Sequence, residues 1–203
     1  MAVQKIVILP PQYLPTPEWF AAIADADLAV VDVQMRHDKR RKSVHRAEVQ
    51  GQHGPFMLTV PVSHTTQQSE SEAKCQRTWA DINVSEHGHW WTVHIGAIES
   101  AYGRTPYFEH YWPLLRNLIS SDATGQSITL YDSIIESILR QILGLATPVS
   151  ATMPAGMDEK AGIEIVDLRR HDFSGESVLS TIFNHGPNAM DCIKQKFSDF
   201  ANV

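Results

Sequence analysis

The densest chemistry in this sequence is a run of charge. Residues 36–46, RHDKRRKSVHR, hold Arg36, Lys39, Arg40, Arg41, Lys42 and Arg46 against a single acid, Asp38. The segment carries +5, so the rest of a chain of net charge −6 carries −11. A concentrated basic segment in an acidic protein attracts a phosphate or an acidic headgroup; a solvated loop of Lys and Arg is the alternative. VDVQM (31–35) delivers Asp32 and Gln34 just before it. Histidine is the second group, with ten residues, three of them in EHGHWWTVH. Helical metal ligands need spacings of three or four, but His87 and His89 fall on different sides and His94 lies five beyond His89. No metal ligands are assigned. His94 shares a helical side with Ile98 and Tyr102. It is either a hydrogen-bonded packing residue or a general base near neutral pH. Tyr13 is the third, set among Pro10, Pro11, Pro15 and Pro17, where a phenol can stack or hydrogen-bond.

Elements must bring these groups together. Ile6 to Leu9 form a short β-branched run bounded by proline, which predicts a buried strand. PEWFAAIADA predicts a helix with Pro17 at its first position, and LAVVDVQM (28–35) a second strand. Strand, proline loop, helix and strand make a βαβ unit, so the first two strands are expected to run parallel. GPFMLTVPV (54–62), WADINV (79–84) and IEIVDL (163–168) are further strand candidates. The stretch 62–76 is polar and is expected to form a mobile loop. The middle reads as helical. A helix capped by Ser85 and ended by Gly103 would bury Trp91, Ile95, Ile98 and Tyr102. TPYFEHYWPLLRNLISS puts Tyr107, Tyr111, Leu114, Leu115 and Leu118 in register, with Pro113 near the helix start. In 127–144, Leu130, Ile134, Ile138 and Ile142 form the expected core stripe, with Gly144 as the cap. Residues 146–162 read as a linker, and the chain ends in short helices turning at Gly186–Pro187. The expected class is α/β: one domain over 1–203, with a partly parallel βαβ-type sheet in about 1–84, a helical part in about 85–145 and a C-terminal part in about 146–203.

Composition narrows the function. At 203 residues with 43% hydrophobic and 20% charged content, the chain is an ordinary globular protein. Cys75 and Cys192 make no disulfide framework or metal spacing, and no apolar run reaches transmembrane length. The start lacks a secretory pattern, so the expected place is the cytoplasm. The acidic balance argues against nucleic acid as a partner. GxGxxG, GxxxxGK[ST], GxSxG and HExxH are all absent, which weakens dehydrogenase, kinase, hydrolase and zincin readings.

Several stretches together resemble the WbqC-like family of bacteria. ILPPQYLP…WF (8–20) resembles its Q-P-x-Y-L-P-W-x-x-Y-F opening, and VDVQM its D-D-V-Q-Y. GPFMLTVPV resembles G-P-x-W-L-T-V-P-V. HIGAIESAYGRTPYFEHY (94–111) resembles H-x-x-x-I-x-x-x-Y-x-x-x-P-Y-F-x-x-Y. ILGLATPVS (142–150) resembles L-G-I-x-T, and LSTIFNHGP (179–187) resembles L-S-x-x-D-x-L-F-N-x-G-P. The order holds over nearly the whole chain. Thr16 stands where the family has Trp, Trp19 where it has Tyr, and Val31 where it has the first acid of D-D. KRRKSVHR stands for its K-x-S-W-R-N-R-N stretch. The resemblance implies a place in O-antigen or other surface-polysaccharide assembly and a suggested transfer of glycine or a similar acyl group to a sugar. It carries no accepted catalytic set. Its matching positions are Pro10, Tyr13, Pro15, Asp32, Gln34, Arg46, His94, Tyr102, Pro106, Asn184 and Gly186.

Ligands of open α/β sheets sit beyond the carboxyl ends of the strands. The proline loop, Asp32 with Gln34, and the basic segment all arrive at that edge. The expectation is a group-transfer enzyme with His94, Asp32 and Tyr102 as catalytic residues. Tyr13, Gln34, Arg46, Lys39, Lys42 and Asn184 are the expected ligand-binding residues. The ligand would be an anionic sugar nucleotide or acyl-adenylate, and no cofactor is assigned. Two alternatives stand beside it: a non-catalytic module binding a polysaccharide intermediate or partner enzyme, and a nucleotidylyltransferase-like activity. The latter is suggested by the strand, proline loop, helix and acid-ended strand, but H-x-G-H is missing.

Overall fold

The computed structural model describes residues 4–51, 54–64, 77–154 and 162–198. Strand β1 (Gln4–Leu9) leads through helix α1 (Pro17–Ala24) to β2 (Leu28–Val31), and the two strands pair in parallel with Ile8 opposite Val30. The sheet is completed by β7 (Val149–Ser150) beside β2 and β8 (Ile163–Asp167) beside β1, giving the parallel order β7-β2-β1-β8. Alternation along the strands sends Ile6, Ile8 and Val30 to one face, where they meet Leu28, Met153 and Ile163. Val7, Leu9 and Ala29 join the main core on the other face. The expected mixed α/β fold with parallel first strands is the one observed.

The remaining strands form two antiparallel hairpins: β3 (Arg46–Gly51) with β4 (Gly54–Thr59), and β5 (Val62–His64) with β6 (Ile82–Val84). β3 went unread because Ala47 and Val49, its buried residues, alternate inside a polar stretch. Residues 62–64 are strand, not loop. The rest of the expected mobile loop, with Cys75, lies outside the described residues. Trp79–Asp81 is a turn of 3₁₀ helix, closed by a reciprocal Thr78–Asp81 capping box, so the expected strand shrinks to β6. The expected linker contains β7, and β2 ends at Val31, short of Met35.

The helices are α2 (Trp90–Tyr102), α3 (Phe108–Arg116), α4 (Ile128–Ile142), α5 (Leu179–His185) and α6 (Ala189–Lys196). Two of them depart from the expected buried stripe, α2 only in part, since Ile98 and Tyr102 are buried as expected while Trp91 and Ile95 are partly buried. α2 starts at Trp90 and buries Trp90, His94, Ile98 and Tyr102. α4 buries Ile128, Tyr131, Ile135 and Leu139, leaving Leu130 53% exposed. Both sides of α4 carry apolar residues at helical spacing, so periodicity alone does not choose between them. Pro113 lies inside α3, and Leu114 is 55% exposed. Among the described residues, no helix is long and apolar enough to cross a membrane.

Candidate functional site

The carboxyl ends of β2 and β8 flank that of β1. Asp32 follows β2, and its backbone N–H donates to the Leu9 carbonyl at 2.9 Å. Asp167 closes β8 opposite Ile8, and the Leu168 N–H donates to the Ile8 carbonyl at 2.8 Å. Arg169 ties these ends together. Its Nε donates to Asp167 Oδ1 at 3.0 Å, its Nη2 to Asp167 Oδ2 at 2.7 Å, and its Nη1 to Asp32 Oδ2 at 3.0 Å. The guanidinium fork holds the Asp167 carboxyl below its ordinary pKa. Asp32 Oδ1 accepts the Gln34 N–H at 3.1 Å, which fixes the turn. Three of the five guanidinium N–H groups are thus spent, and two remain for a ligand.

Two adjoining pockets open on this edge. The larger, about 1060 Å³, is lined by Asp32, Gln34, Lys39, Asp167 and Arg169 among others. The smaller, about 600 Å³, is lined by Tyr13, Lys42, Arg46, Met57, His171 and Phe173 among others. Together their walls hold eight Lys or Arg against five Asp or Glu, an inversion of the chain's overall sign. The proline loop backs the smaller pocket. Residues 10–16 are all buried, so their polar groups need internal partners. Tyr13 N–H donates to the Ser43 carbonyl at 3.0 Å, Val178 N–H to the Pro15 carbonyl at 2.9 Å, and Trp19 Nε1 to the Pro10 carbonyl at 3.0 Å. Gln12 Nε2 donates to the Phe173 carbonyl at 2.9 Å.

Of the residues expected at a site, Asp32, Gln34 and Lys39 line the larger pocket, and Lys42, Arg46 and Tyr13 the smaller. His94, Tyr102 and Asn184 line neither. His94 is only 2% exposed. Its Nε2 lies 3.2 Å from the Thr59 carbonyl and its Nδ1 2.9 Å from the Tyr13 hydroxyl. A carbonyl only accepts, so Nε2 carries the proton and Nδ1 accepts from Tyr13. Burial pushes the His94 pKa down to about 4. Its two nitrogens brace α2 against β4 and the proline loop. Tyr13, fully buried, stacks on Tyr131 with ring centroids 6.0 Å apart. Tyr102 donates to Glu176 Oε1 at 3.1 Å and accepts from the Gln50 N–H at 3.4 Å, joining α2, β3 and the loop before α5. Asn184 is exposed and bonds back to Ser180 within α5. Gly186 serves packing: at φ 53°, a Cβ there would lie 2.5 Å from the Tyr107 ring.

Sequence reasoning missed Arg169, Asp167 and His171. The signal for Asp167 was present: VVD (30–32) and IVD (165–167) end two strands alike. His171 Nε2 is 3.1 Å from Glu18 Oε1, and the histidine lines the smaller pocket. A carboxylate on one ring nitrogen orients the imidazole for proton transfer. Among the described residues, no group of three or more His, Cys, Asp and Glu could hold a metal ion.

Behind the proline loop, α4 buries Asp132 beside a void of about 10 Å³ that Pro11, Gln12, Trp19 and Thr129 also line. Neither carboxyl oxygen has a hydrogen-bond partner among the described residues, and burial pushes its pKa well above the ordinary 3.8. A carboxyl raised in the folded state gives its full stability below the unfolded value and loses it as pH rises through the folded one. Asp132→Asn removes that titration. Urea midpoints should be higher than the parent's at pH 8, and the difference should close as pH falls to 3.8. An advantage that is equal at both pH values would contradict the assignment.

Compared with known proteins, the chain matches the model of the WbqC-like protein family over residues 10–172. No curated protein and no solved structure matches it.

Proposed function

The chain belongs to the WbqC-like protein family, and we propose that it is a group-transfer enzyme whose anionic, activated donor binds in the groove beyond β1, β2 and β8. The transferred group is an acyl or aminoacyl unit, or one of similar chemistry. The acceptor is a sugar or sugar nucleotide, in cytoplasmic assembly of O-antigen or another surface polysaccharide. The observation that carries this reading is the net positive groove of a net negative protein, placed where parallel sheets bind ligands. Arg46, Lys39 and Lys42 supply charge, and Gln34 a neutral hydrogen-bonding group. The acceptor's amine or hydroxyl attacks the donor's acyl carbon, the acyl–phosphate bond breaks with the donor's phosphate as leaving group, and the attacker's proton passes to Asp32 or to the Glu18-oriented His171, since both line the groove. His94 and Tyr102 position the walls.

The non-catalytic binding reading is favoured by one observation: His94 and Tyr102, two of the three residues expected to do chemistry, line neither pocket. Calorimetry with a panel of sugar nucleotides and acyl-adenylate analogues tests binding, and product analysis by mass spectrometry tests turnover. At least one anionic donor should bind the parent and bind Arg46→Ala more weakly, whereas Asp32→Ala, which keeps Arg169, should lose turnover rather than affinity. Indifference of all three proteins to the whole panel would defeat both readings. Binding without product for any acceptor sugar would leave the binding module.

A further inference from the structure

The two pockets share one wall, made of Asp38, Arg40, Arg41 and Arg170. We infer that Arg40, Arg41 and Arg170 seat a diphosphate, so that the sugar nucleotide of that transfer is a nucleoside diphosphate sugar held in this groove. This rests on the reading of the groove given above and narrows its ligand class.

Three features of the wall support this. The first is that its arginines are unspent. Arg116, Arg140 and Arg169 are ion-paired, whereas among the described residues Arg40, Arg41 and Arg170 have no salt bridge. Three guanidinium groups lining both pockets concentrate positive potential there, which draws an anion. The second is that their backbones are preset. Asp38 Oδ1 accepts the Arg40 N–H at 2.9 Å, and the Asp38 carbonyl accepts the Arg41 N–H at 3.0 Å. The turn before Arg170 is held at its other end by the His171 N–H on the Leu168 carbonyl at 3.0 Å. The backbones at both edges of the wall are therefore ordered before any ligand arrives, which lowers the cost of binding. The third is position: a chamber opens on each side, about 1060 Å³ and 600 Å³, each with room for a nucleoside or a sugar. A ligand filling both chambers must carry its anion in its middle.

Two ligand types have that architecture, and charge separates them. An acyl-adenylate bridges its halves with one phosphate of charge −1, and a nucleoside diphosphate sugar bridges them with two, of charge −2. The two pockets together hold eight Lys or Arg against five Asp or Glu, an excess of three that a charge of −2 answers better than −1. Arginine also matches phosphate oxygens in a planar fork, so three arginines suit a diphosphate with its four non-bridging oxygens.

Calorimetry at fixed ionic strength tests this with four probes: inorganic phosphate, inorganic pyrophosphate, a methyl ester of adenosine monophosphate and uridine diphosphate glucose. Pyrophosphate and the sugar nucleotide should bind at least tenfold tighter than phosphate and the ester. The double variant Arg40→Ala/Arg170→Ala should erase that gap while melting like the parent. Arg116→Ala, on α3 and lining neither pocket, should leave it intact. Equal affinity for the one- and two-phosphate probes, or a gap that survives the double variant, overturns the diphosphate seat and leaves the groove reading standing. No binding of any probe overturns both.

Discussion

Arg169→Ala should weaken binding of an anionic donor ten- to a hundredfold, the loss expected for one charge-assisted hydrogen bond of roughly 1.5–3 kcal/mol. Two changes add. The groove loses a guanidinium with two N–H groups still to give, and Asp32 and Asp167 lose the cation that both of them contact. The variant therefore replaces an anchored cation with two unneutralised carboxylates at the ligand's edge. Arg169→Lys keeps the charge but not the fork, since an ammonium cannot hold both Asp167 oxygens and Asp32 in one plane. It should fall between the parent and the alanine variant. Stability should move little, because these pairs are partly exposed and such pairs contribute about 0–1 kcal/mol. Calorimetry with thermal melts separates the two effects. Parent-like affinity in Arg169→Ala would remove the clamp from the binding site.

His94→Ala should instead destabilise the fold by about 3–5 kcal/mol. It opens a cavity in the core and strands the Tyr13 hydroxyl and the Thr59 carbonyl. The pH dependence has a defined sign. The folded-state pKa, about 4, lies below the ordinary 6.5. For a base lowered in this way, the stabilising contribution is complete above 6.5 and is lost as pH falls through about 4. It amounts to roughly 3 kcal/mol at about 1.4 kcal/mol per unit. Urea unfolding between pH 7.5 and 4 should show this loss as the difference between the parent and His94→Gln, because Asp132 contributes with the opposite sign equally in both. A His94→Ala protein of parental stability with its transfer activity abolished would return His94 to the role of general base.

The residues that proved legible in the sequence are those whose meaning is local. The apolar run of β1, Pro17 at the start of α1 and the charge of 36–46 each depend on a few neighbours. Their convergence on one edge follows from the βαβ unit alone. The clamp was not legible in that way: Arg169 reaches Asp32 across 137 positions, and only the pairing of β8 with β1 brings them together. The helix faces were hidden for a different reason. α2 offers Trp90 and Trp91 as alternative starts to its buried stripe, and α4 is apolar on two sides. The partners that choose between them come from distant segments: Thr59 and Tyr13 fix the orientation of His94, and Tyr13 stacks on Tyr131. The prolines changed meaning as well. Their rigidity belongs first to a buried crossing of the core, where Gln12 and backbone groups supply the hydrogen bonds that anchor it, and only through its outer surface to the smaller pocket.

The most direct measurement is a crystal structure of the protein with uridine diphosphate glucose. The account predicts density in the groove, with phosphate oxygens on Arg40, Arg41 and Arg170 and the remainder of the ligand reaching toward Asp32 and Arg169. Ordered ligand seated away from the ends of β2 and β8, for example against α5 near Asn184, would contradict it.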